Sequence, residues 1–200
     1  MWLSALVNLA GLIIFLFFLW RRLKEDYSSE VIFSLAFFII AGIILGYLLS
    51  LKFFPSWWFW FEGFGAFLGF SLGIVRYNLR FFETFEAGFV GILPWLALYF
   101  LQGLVRRPDF VRAFLFISNL ALLFIFDYLD KRYKSFTWYK SGRIGFAGLS
   151  VAAVFFLIRA AIATFFSSVL SFPGRGEAIL AGVCAFSLFL LIYNLCQEEK

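Results

Sequence analysis

In 200 residues, 64% are hydrophobic and only 14% charged, more apolar material than a soluble core of this size needs, so the chain is read as an integral membrane protein. The net charge of +5 is spread over short segments with no basic stripe, which excludes nucleic acid as a partner. With no histidine and no paired-cysteine spacing, a transition-metal site and a histidine-based catalytic triad are excluded too, and no cofactor is implied.

Apolar stretches near the length of a membrane span occur in chain order at 2–20, 31–51, 57–75, 87–105, 110–129, 145–166 and 178–195. The expected architecture is therefore all-α and polytopic, seven transmembrane helices forming one domain over 1–200. The first run has no basic leader and is followed by Arg21 and Arg22 without a small-residue cleavage site, so it reads as a retained anchor. The third carries Glu62, with Gly65, Ala66, Gly69, Gly73 and Arg76 in the same arc of about 100° at helical periodicity. Its glycines Gly63, Gly65 and Gly69 superficially match a phosphate-binding loop, but no strand precedes them, so they read as packing positions. The fourth run contains Pro94. The sixth carries Arg159 with Gly145, Gly148, Ala152 and Ala163 in an arc of about 60°. On the seventh, Cys184 and Cys196 are separated by roughly 18 Å of helical rise, too far for a disulfide.

Loop charge gives an orientation. With the N-terminus outside, the inner side holds Arg21, Arg22, Lys24, Arg76, Arg80, Lys131, Arg132, Lys134, Lys140, Arg143 and Lys200, while Lys52, Arg106, Arg107, Arg112 and Arg175 are outside. Eleven against five favours an outside N-terminus and a cytoplasmic C-terminus. Arg106 and Arg107 lie against this rule. Trp2, Trp57, Trp58 and Trp60 fall near the outer boundary, Trp20 and Trp138 near the inner one, as an aromatic belt requires.

A carboxylate or guanidinium inside a span faces a partner, a bundle interior or a water-filled cavity. Glu62 is roughly 7 Å and Arg159 roughly 10 Å below the same outer boundary, so the two are expected to meet. The small residues beside each let helices approach closely and turn both charges inward. The pair reads either as chemistry or as a structural ion pair over a glycine packing seam.

The order of several motifs carries a resemblance. Arg21-Arg22 follows the first span, Phe61-Glu62-Gly63 opens the third, Arg76 and Arg80-Phe81-Phe82 occupy the next loop, and Arg159 lies in the sixth. Over essentially its whole length the chain resembles the prolipoprotein diacylglyceryl transferases. The resemblance implies a seven-helix plasma (inner) membrane enzyme that moves diacylglycerol from phosphatidylglycerol to the lipobox cysteine thiol of a preprolipoprotein.

By this resemblance Glu62 stands where the family has the histidine of its His-Gly-Gly motif, with Gly63 retained and Phe64 replacing the second glycine. Arg159 matches the family's penultimate-helix arginine. Glu86 falls where the family carries an acid, a position that equally suits a solvated helix start. The family's Gly-Arg-x-Gly-Asn-Phe signature is absent, and Phe100 stands near its arginine. Arg106 and Arg107 are the candidate substitutes for that cation. Ser4 or Asn8 occupies the place of a family tyrosine. The implied roles are catalytic for Glu62 and Arg159, substrate-binding for Gly63, Glu86, Arg106 and Arg107. Arg159 would hold the lipid phosphate and Glu62 would accept the thiol proton. The competing readings are a non-catalytic lipid-binding or assembly protein on the same fold and, third, a small-solute carrier, for which a convincing internal repeat is missing.

Overall fold

The computed structural model describes residues 2–136, 139, 144–166 and 174–197. Seven helices among them are long and apolar enough to cross a membrane: α1 (Trp2–Leu23), α2 (Ser29–Phe53), α3 (Trp58–Tyr77), α4 (Phe81–Arg106), α5 (Phe110–Arg132), α6 (Phe146–Phe165) and α7 (Arg175–Gln197). Short 3-10 turns at Pro55–Trp57 and Tyr133–Ser135 abut α3 and α5, and the described residues form no strand. The expected Trp138, Lys140, Arg143 and Lys200 positions lie outside the described residues.

Most helices overrun their apolar stretch at one or both ends. In hydrocarbon every backbone N–H and C=O must be satisfied within the segment, so the helix persists until water can take over. Polar residues then occupy terminal turns with the sign the helix dipole favours: Glu30, Glu83 and Glu177 in first turns, Arg22, Lys52, Arg76, Arg106 and Arg132 in last turns. Several of these read from sequence as loop charges, and they are helical.

Helix α4 is the hub, packing against α1, α3, α5 and α6, while α2–α3 and α6–α7 form tight hairpins on either side. Phe15, Leu19 and Leu23 of α1 are fully buried in a cluster with Ile32, Leu35 and Ala87. Val90 and Leu93 of α4 meet Leu122 and Phe126 of α5 and Val151 and Phe155 of α6. The α2–α3 hairpin is a backbone-to-backbone seam. A Cβ added at Gly42 would fall on the Gly65 carbonyl, and one at Gly69 on the Phe38 carbonyl. The small-residue arc read on the third span is thus spent on α2, where van der Waals contact replaces the hydrophobic drive that lipid cannot supply.

Successive helices run antiparallel, which sorts the polar side chains to two ends. One end, called here the Arg159 end, brings the start of α1 to the end of α4, with the Gln102 amide 2.9 Å from Ser4 Oγ, and sets Trp57 against Gly176 at the start of α7. The other, the Arg22 end, joins the last turn of α1 to the second turn of α4 and the first turn of α6.

Candidate functional site

Arg159 lies two turns from the end of α6 and is 1% exposed. A guanidinium at that depth needs a counter-charge, and Glu177, 0% exposed in the first turn of α7, provides it. Arg159 Nε and Nη2 both reach Glu177 Oε1 at 2.8 Å. The second carboxylate oxygen, Oε2, accepts the indole N–H of Trp60. The guanidinium carbon stands 3.5 Å from the Phe59 ring centroid, so one face of the cation rests on an aromatic plane. Trp60 stacks on Phe156, and Phe59 packs against Phe155. The first turn of α3 is therefore fastened to α6 and α7 through a charge, an indole and three phenyl rings.

Glu62 lies one turn deeper on α3 and is half-buried. The expected contact between Glu62 and Arg159 is not made. Glu177 takes the Nε and Nη2 donors of the guanidinium, and Phe59 lies against one of its faces. Glu62 makes no hydrogen bond or ion pair with the described residues. The two groups still share one neighbourhood. Tyr99 of α4, whose ring is 5.2 Å from that of Trp58, lies within electrostatic reach of Glu62, Arg159 and Arg112. Gly63 is exposed, with nothing near a Cβ built on it.

Arg106 and Arg107 are exposed at this same end. Arg106 donates to Ser4 Oγ at 2.7 Å, and the Arg107 carbonyl accepts from Arg112 Nη1 at 3.0 Å. Asn8 Oδ1 receives the Trp95 indole at 3.3 Å, so neither polar residue of α1 turns toward Glu62.

Glu86 belongs elsewhere. It is 2% exposed and thirteen residues before Tyr99 on α4, about 20 Å away along the axis. Its carboxylate meets Arg22 and accepts the Gly148 N–H at 2.9 Å, capping an orphan donor in the first turn of α6. Arg22 also binds both oxygens of Asp130, at 2.7 and 3.0 Å, and lies 5.1 Å from the Phe126 ring centroid. A Cβ on Gly148 would collide with the Glu86 side chain, so the small residue admits the acid. Glu86 is thus neither a solvated helix start nor a neighbour of Arg159.

No protein-family model, curated protein or solved structure matches this chain. The geometry of these two polar centres is what any functional reading rests on.

Sequence reasoning passed over Glu177, Tyr99, the Trp60–Glu177 hydrogen bond and the Arg22–Asp130 contact. Glu177 stands one residue before the apolar run at 178, outside every span read from the sequence. The usable signal was Arg159 itself, because a cation buried in the last two turns of one helix demands an acid at the start of the next. Trp57, Trp58 and Trp60, read as a membrane belt, are half-buried and engage α4, α6 and α7.

Proposed function

We propose that the chain is a diacylglyceryl transferase-like membrane enzyme that works on phosphatidylglycerol at the Arg159 end, with its N-terminus outside. The observation that carries this reading is Glu62: a half-buried carboxylate in a span, without a partner among the described residues, within electrostatic reach of Tyr99, which Arg112 and Arg159 also reach. Structural carboxylates at comparable depth, Glu86 and Glu177, are saturated with donors. In the proposed reaction Glu62 takes the proton of the acceptor thiol. The sulfur then attacks the glyceryl carbon that bears the phosphate ester, a C–S bond forms, the C–O bond breaks, and glycerol phosphate leaves with the electron pair. Arg112 and Arg159 supply the positive field for that leaving anion, stronger in a dry site than in water. Glu177 and Phe59 hold Arg159 in one orientation throughout.

A second reading has its own support. Arg159 is so enclosed that its charge is balanced inside the protein, as in a non-catalytic lipid-binding or assembly protein. Purified protein, phosphatidylglycerol and a lipobox peptide separate the two. A diacylglyceryl adduct in the peptide mass, lost in Glu62→Gln, supports the transferase. Phospholipid retained through purification without any adduct supports the binding protein.

A further inference from the structure

We propose that the cavity at the Arg22 end binds a small organic cation through a primary ammonium group held by Asp26 and Glu83. The cavity measures about 380 Å³ and lies within the range of small-molecule clefts. Among the described residues that line it, five carboxylates face three cations. Those cations are already engaged or turned outward. Arg22 is consumed by Glu86 and Asp130, Lys131 binds Asp127 at 2.6 Å, and Lys134 lies against the Tyr133 ring.

What remains is a pair of acids. Glu83, in the first turn of α4, is 8% exposed, and its buried Oε2 has no hydrogen-bond donor. Among the described residues Arg80 forms a loose ion pair with this oxygen at 3.8 Å, beyond hydrogen-bonding distance and from a side chain that is three-quarters exposed. The other free carboxyl at this position is that of Asp26, which lines the same cavity from the loop after α1. Two ionised carboxylates lining one cavity repel unless one takes up a proton or a cation joins them, and a bound cation keeps both ionised. An ammonium group brings three N–H donors and one charge, enough to serve both acids. The volume is far larger than a bare ion requires, so the charge is expected on an organic molecule. A free amine and a phosphatidylethanolamine headgroup share this chemistry. The site is on the opposite end from Glu62 and does not depend on the transferase reading.

The test uses the full chain in phosphatidylglycerol nanodiscs titrated with ethanolamine by calorimetry. Saturable binding is expected, with glycerol and inorganic phosphate giving none. Asp26→Asn, on an exposed loop, and Glu83→Gln should each weaken binding by about tenfold or more through the loss of a charge-assisted contact, while Glu30→Gln changes nothing. Binding that survives added phosphatidylethanolamine assigns the site to a soluble amine, and binding abolished by it assigns the site to the lipid headgroup. Absence of saturable ethanolamine binding, or wild-type affinity in Asp26→Asn, overturns the proposal.

Discussion

Removing one member of the Arg159–Glu177 pair should be among the most damaging single changes available to this chain. Glu177→Gln keeps the shape of the side chain but strands a guanidinium that is 1% exposed. Breaking a buried pair in this way costs about 3–5 kcal/mol, because the remaining charge loses its buried carboxylate and has little access to solvent. Arg159→Met should cost a similar amount, since it leaves Glu177 charged at 0% exposure. The double variant Arg159→Met/Glu177→Leu removes both charges and should lose far less. Its residual loss, about 1–3 kcal/mol, comes from the Trp60 indole N–H left without its acceptor. The coupling energy from this cycle should therefore reach about 3 kcal/mol or more. Denaturant titration in detergent, followed by tryptophan fluorescence, measures all four proteins. Single losses below about 1 kcal/mol, or a double variant equal to the sum of the singles, would refute the reasoning. The folded double variant has a further use: unimpaired transfer in it would remove Arg159 from the chemistry.

At the other end, Glu86→Gln should destabilise by about 3 kcal/mol in the same titration, because Arg22 and the Gly148 N–H both lose a charged acceptor. Gly65→Val drives a side chain into the Gly42 backbone and should cost about 1–3 kcal/mol or separate the α2–α3 hairpin, whereas Gly63→Ala, with open space around it, should raise helix stability by up to about 1 kcal/mol. For Glu62→Gln, stability should hold or rise, since no partner is lost, while thiol transfer followed by mass spectrometry should fall by about 10²–10⁴ if the carboxylate is the base. Replacing Arg106 and Arg107 together by Gln should move stability by less than about 1 kcal/mol, and unchanged phospholipid retention would take both out of the site.

Spans were legible in the sequence because hydrocarbon imposes one rule on every stretch, about 20 apolar residues with all backbone polar groups satisfied internally. Their ends were not, since hydropathy falls at the first charge while hydrogen bonding continues past it. Arg22, Asp130 and Glu177 all lie in that margin, helical in the structure but outside the apolar runs. Periodicity correctly turned Arg159 and Gly148 inward, yet it could not say toward what. Gly148 was grouped with Arg159 on one arc and instead receives Glu86, because a helical arc extends the full thickness of the membrane and fixes no depth. Depth arithmetic did place Glu62 and Arg159 at one end. It failed for their contact, because the acid that meets Arg159 is Glu177, in the margin just before the seventh apolar run.

The polar centres also explain how seven apolar helices choose a single register. Between lipid-facing helices, apolar side chains give little discrimination, because lipid tails are as apolar as leucine, so close backbone contact and polar pairs must decide. Arg22, with Glu86, Asp130 and the Gly148 N–H, ties α1, α4, α5 and α6 at one end. Arg159, Glu177 and Trp60 tie α6, α7 and α3 at the other. Helix α2 enters neither network and is fixed instead by its glycine seam with α3. Every helix is thereby positioned without Glu62. A carboxylate that contributes nothing to register, costs desolvation in a span and is left without a partner among the described residues needs another reason to be there, and the proton transfer proposed for Glu62 would supply one.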